Sequence, residues 1–173
     1  DSLGKYQKAM ECHKKALAIA LEIGDRQGER VINGNLVNWF HSLGEYQKAK
    51  EYNEKALAIA IEIADRHGEG AINGNLGNVF HSLGQYQEAK EYYEEALAIG
   101  IEIGDRQGEK TINRRLGRMF DSLSEHHKAK KHYEKALAII TEIGGRKGEE
   151  YLRLGNVYGH LRKNRLAKKY LDK

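Results

Sequence analysis

Between residues 45 and 63, Tyr46, Ala49, Tyr52, Ala56, Leu57 and Ala60 follow the three-and-four spacing of an amphipathic helix, with Glu and Lys on the other face. The spacing predicts a helix from about Glu45 to Ile63. A second stripe lies between Gly68 and Ser82. At 100° per residue, Asn73, Leu76, Gly77 and Phe80 share one narrow face, and Ala71, Asn75, Asn78 and Ser82 lie opposite. This stretch contains Asn-Gly, a strong hairpin-turn signal. Its flanks keep helical spacing, however, so a helix is predicted rather than a turn.

The two stripes recur together every 40 residues. The segment at 1–29 returns at 41–69, at 81–109 and more loosely at 121–149, with about two-thirds of positions matching between the first copies. Stacked copies of a helix pair are the expected architecture, an all-α solenoid of about nine helices. The expected units are a half repeat at 1–24, then 25–64, 65–104, 105–144 and a partial unit at 145–173. The frame suggests a fragment of a longer array. Gly24, Gly104 and Gly144 sit where a helix end favours positive φ, and Asp25, Asp65 and Asp105 follow as N-caps. Ala64 and Gly145 break that pattern, so poorer capping is expected at those two corners.

The order Leu-Gly-x-x-Phe, then Gly-x-Tyr-x-x-Ala-x-x-x-Tyr-x-x-Ala-Leu, resembles the tetratricopeptide repeat. Leu76, Gly77, Phe80, Gly84, Tyr86, Ala89, Tyr93, Ala96 and Leu97 carry the full pattern. The 40-residue period, Leu-Gly-Asn at 76–78 and 154–156, and the Glu-Ile-Gly-Asp-Arg corner are similar to a longer subclass, the repeats of Pins-like adaptor proteins. Several positions depart from the pattern. Asn33, Asn73 and Asn113 replace a bulky residue, Val37 replaces the small residue, and Ser124 and His126 replace Gly and Tyr. The last unit is two residues short.

The resemblance implies a non-enzymatic protein-interaction scaffold whose first helices line a concave groove. The positions facing that groove would be Asn35, Asn38, Asn75, Asn78, Arg115, Arg118, Arg153 and Asn156, flanked by His41, His81, Arg114 and His160. Asn donates to and accepts from an extended backbone, and Arg clamps a carboxylate with two parallel bonds. An extended, acidic peptide is the expected partner. A merely wet face would be served by Ala, Glu or Lys. Leu76, Gly77, Phe80, Gly84, Tyr86, Ala89 and Ala96 are read as structural. Gly77, Gly117 and Gly155 each cost about 1 kcal/mol against alanine within a helix, which close approach of the paired helix would offset.

Composition sharpens this picture in one respect. Residues 1–105 carry 11 Lys and Arg against 17 Asp and Glu, and residues 106–173 carry 18 against 8. The basic part could meet acidic peptide, nucleic acid or the acidic part of another copy. The nucleic-acid alternative would use Arg114, Arg115, Arg118, Lys128, Lys130, Lys131, Arg153, Arg162, Lys163, Arg165, Lys168 and Lys169. The third reading is a structural spacer that self-assembles head to tail. With 173 residues, no proline, one cysteine (Cys12) and no run of 18 apolar residues, the expected setting is cytoplasmic, with no membrane insertion. No cofactor or metal is expected. His126, His127 and His132 do not pair at i, i+4, and no phosphate-loop ending follows Gly74 or Gly77.

Overall fold

The computed structural model describes the backbone of residues 2–171 and the side chains of 8–149 and 151–162. Eight helices follow one another: α1 (Ser2–Ile23), α2 (Arg26–Ser42), α3 (Tyr46–Glu62), α4 (Arg66–Ser82), α5 (Tyr86–Glu102), α6 (Arg106–Ser122), α7 (His126–Glu142) and α8 (Gly148–Leu171). There is no strand among the described residues. Consecutive helices pack as antiparallel pairs, which makes the chain an all-α solenoid. Backbone contacts divide it into a first unit, residues 1–99, and a second, residues 100–173.

The helix starts and stops follow from particular side chains. The carboxylates of Asp25, Asp65 and Asp105 accept from the backbone N–H of Gly28, Gly68 and Gly108 at 2.8, 2.8 and 2.9 Å, satisfying one of the four donors that a helix start leaves open. Gly24, Gly44, Gly84, Gly104 and Gly144 turn the chain at φ between 69 and 74°. Ala64 and Ser124 adopt the same left-handed backbone, at 55 and 59°. The Ala64 corner keeps its hydrogen bonds, Ala64 N–H to Ile61 O at 3.1 Å and Asp65 N–H to Ala60 O at 2.8 Å. Its cost is therefore conformational. At Gly145 the side-chain cap itself is missing, and α8 begins only at Gly148.

The count of eight is one short of the expected nine because α8 runs on where a corner between helix types was expected. Arg162 stands where Gly44 and Gly84 turn the chain, and a long side chain opposes positive φ.

The core of the first unit gathers Leu36, Val37, Phe40, Ala49, Leu76 and Ala89, all at most 4% exposed. In the second unit Leu116, Met119, Phe120, Ala129, Tyr133 and Val157 play that part. Gly77 sets the helix spacing. A β-carbon there would lie 2.5 Å from the Tyr93 ring, and one at Gly117 would lie 2.6 Å from the Tyr133 ring. Close approach is thus confirmed at both. It is corrected at Gly155, where no described atom outside its own helix backbone lies within 4 Å of the β-carbon position. The buried Asn113 spans two helices: Nδ2 donates to Glu109 O at 2.9 Å and Oδ1 faces His132 Nδ1 at 3.0 Å.

Candidate protein-interaction surface

In the first unit, α2 and α4 bury Leu36 and Leu76 and so turn their opposite faces outward. Asn35 and Asn38 are exposed there, and Asn75 and Asn78 are half-buried. The Tyr93 hydroxyl donates to Asn78 Oδ1 at 2.8 Å, which fixes the amide with its NH2 group turned away from the phenol. His41 joins α2 to α4, its Nε2 lying 3.2 Å from Ser82 Oγ. Burial lowers its pKa below the ordinary histidine value. His41 and His81 meet the edges of Tyr46 and Tyr86, at 5.2 and 5.5 Å between ring centroids.

The second unit is cationic at the matching positions. Arg115 is half-buried and Arg118 exposed on α6, while α8 presents a half-buried Arg153 and an exposed Asn156. Tyr133 lies beneath them at 1% exposure. Burial raises its phenol pKa, and Asp121 pushes the same way; the Arg153 charge and hydrogen bond, and then the Arg118 charge, oppose this. Arg153 Nε is buried without an acceptor among the described residues. An open cavity of about 340 Å³ is lined by Asp121, Gly155, Asn156, Gly159 and His160. His126 Nδ1 lies 3.0 Å from Asp121 Oδ1, and its ring stacks on His160 at 4.6 Å.

Of the residues read as structural, Leu76, Phe80, Ala89 and Ala96 are in the core and Gly84 is at a corner. Tyr86 lies at the surface, 37% exposed. Tyr133 and Asp121 were not singled out beforehand, and His126 was noted only as a departure from the repeat pattern and as a rejected metal ligand. The available signal for Tyr133 was its place 16 residues after Gly117, the separation that also relates Tyr93 to Gly77.

Several of the basic residues are paired with carboxylates. Arg114 pairs with Glu149 at 2.7 Å, Lys130 with Glu134 at 3.5 Å, and Lys128 with Glu125. Lys163, Arg165, Lys168 and Lys169 lie outside the described side chains. Among the described residues no three His, Cys, Asp or Glu side chains form a metal site, and no helix is long and apolar enough to cross a membrane.

Antiparallel helix pairs at a 40-residue period, each turning a polar first-helix face outward, define a helical-repeat scaffold. The sequence profile of the tetratricopeptide repeat matches residues 2–62 and 68–142, and the chain belongs to that family. Such proteins generally act as protein-interaction scaffolds. Among solved structures, BtubC (BKLC) from P. vanneervenii is similar at a TM-score of 0.83 and 25% identity, over 99% of this chain and 72% of that one. A putative kinesin light chain of P. anserina with nearly identical TPR-like repeats matches at 0.74 and 20% identity, over 99% and 86%. The apo form of RapI matches at 0.83 and 17% identity, over 96% of this chain but 47% of RapI. No curated protein sequence matches the chain significantly.

Proposed function

We propose that the chain is a non-enzymatic interaction scaffold, of the 40-residue Leu-Gly-Asn type, that receives an extended acidic segment of a partner on its first-helix faces. The observation that carries this reading is the arginine group of the second unit. Arg118 and Arg153 share the field of the Tyr133 hydroxyl, and Arg153 Nε is desolvated without an acceptor. A buried, unmatched guanidinium N–H is costly, and a ligand carboxylate would satisfy it through a charge-assisted bond. Asn35, Asn38, Asn75 and Asn78 offer amides suited to an extended backbone.

The test is fluorescence anisotropy with a labelled Asp- and Glu-rich peptide. Arg115→Glu combined with Arg118→Glu is expected to weaken binding at least about tenfold, the loss of charge-assisted contacts. Unchanged affinity would overturn the reading.

A further inference from the structure

We propose that the chain forms a closed twofold dimer through α8, whose open face receives α8 of a second copy running antiparallel. The helix period divides α8 in two. Leu154 and Val157 are buried, and α7 is the helix that packs on α8. Tyr151, Leu152 and Tyr158 lie on another face and are 59, 67 and 48% exposed. The earlier repeats show what that face does. Tyr158 stands where Phe40, Phe80 and Phe120 stand, and each of those is at most 5% exposed because its ring stacks on Tyr52, Tyr92 or His132 of the helix that folds back. Tyr151 likewise stands at the place of the buried Asn33, Asn73 and Asn113.

No described part of the chain takes that role on α8. The helix continues through Arg162, and at Gly155 and Gly159 no described atom outside the helix's own backbone lies within 4 Å of a β-carbon position. Tyr158 is held by its own unit from one side only: its hydroxyl donates to Glu134 Oε1 at 3.1 Å, and Lys130 Nζ lies 5.1 Å from its ring centroid.

The pattern on the face identifies its occupant. Tyr151, Leu152, Gly155, Tyr158, Gly159 and Arg162 keep the three-and-four spacing of a two-helix seam. Turned end for end about Gly155, the seam matches itself. Tyr151 of one copy meets Gly159 of the other, and Leu152 meets Tyr158, so that bulk is set against a gap and apolar side chain against aromatic ring. The fold already packs in this way at Gly77, where the Tyr93 ring fills the place of a β-carbon. Arg162 of one copy stands at the end of the other that carries Glu149, an unlike charge. Glu149 also holds Arg114 at 2.7 Å, so this contact gives direction more than strength. A parallel pair would set Tyr151 against Tyr151 and leave Gly155 against Gly155, with bulk on bulk and gap on gap.

One helix pair buries less than a standard stable complex, so a dissociation constant on the order of 10 µM is expected. The test is sedimentation equilibrium of the full chain across concentrations that bracket that value. The weight-average mass should rise reversibly to twice the monomer mass and stop there. Gly159→Gln should weaken the dimer at least about tenfold. Glutamine is a better helix former than glycine and meets open space in the monomer, so an undiminished Tm separates this loss from unfolding. In a Cys12→Ser background, Gly155→Cys should oxidise to a disulfide-linked dimer, because the twofold axis sets residue 155 against itself; Asn156→Cys, a hundred degrees round the helix, should do so more slowly. A monomer at every concentration, a mass that climbs past the dimer as head-to-tail assembly would, full dimerisation of Gly159→Gln, or cross-linking no faster at 155 than at 156 would overturn the proposal. The dimer and the peptide-binding reading rest on different residues: Arg115→Glu with Arg118→Glu should leave the mass profile unchanged, so each can fail without the other.

Discussion

At Ala64 and Ser124 an L-residue carries the positive φ that glycine carries at 24, 44, 84, 104 and 144. A β-carbon in the left-handed region costs about 1–2 kcal/mol, partly offset because alanine and serine restrict the unfolded chain more than glycine does. Ala64→Gly and Ser124→Gly are each expected to stabilise the fold by about 1 kcal/mol, raising Tm by about 2–4 °C in a thermal melt. A second residue-level effect concerns pH. Burial first, then the charges of Lys135 and Lys131, hold His132 at about 4 against an ordinary 6.5. Its bond to the Asn113 carbonyl requires the proton on Nδ1, leaving Nε2 bare in the neutral ring. With the folded pKa the lower one, the unfolded chain takes up the proton first as pH falls. This contribution is therefore complete above pH 6.5, erodes between 6.5 and 4, and is absent below 4. His132→Tyr, which restores the residue found at 52 and 92, should flatten the loss of Tm in that window. An unaltered pH profile would refute the assignment.

At the scale of helix pairs, one position on the first helix and one on the second share a fixed volume. Gly77 faces Tyr93 and Gly117 faces Tyr133, whereas the preceding pair has Val37 and Asn53 at the corresponding places. The bulk has moved from one helix to the other. It left Asn53 fully buried with neither side-chain polar atom bonded, an arrangement that costs about 1–3 kcal/mol. Gly77→Val alone should therefore destabilise by about 1–3 kcal/mol through overpacking against Tyr93. Adding Tyr93→Asn should recover part of that loss, and urea melts of the four-member cycle measure the coupling. Additive effects would show that the two positions do not share space. This pairing also marks the boundary of what the sequence reveals. The period, the Asp caps and the glycine corners were legible because each is a local signal repeated in register. The continuation of α8 had a local signal in Arg162, which stands where glycine turns earlier repeats, whereas the stacking of His126 on His160 depends on which helices meet, and no local spacing encodes that. For the same reason the groove residues could be placed on a face, but the link from Tyr133 to Arg153 could not be foreseen.

For the whole molecule, the contrast between an acidic first stretch and a basic second one invites a polyanion reading, and the ion pairs argue against it. Arg106 is bound to Glu109 and Glu142, Arg114 to Glu149, Lys128 to Glu125 and Lys130 to Glu134. Four cations of α6 and α7 are thus matched within the unit. A nucleic acid held by a dozen cations would release about as many counterions, and its log–log salt slope would approach about −0.9 for each phosphate neutralised. An acidic peptide engaging Arg115, Arg118 and Arg153 meets only a few cations. Its slope should be no steeper than about −3 or −4, with residual binding at high salt from buried contacts that salt screens poorly. Parallel anisotropy titrations of the acidic peptide and of a duplex oligonucleotide, over a range of salt concentrations, separate the two. Oligonucleotide binding that is tighter than peptide binding near physiological salt, with a slope near −10, would transfer the function from protein recognition to nucleic acid.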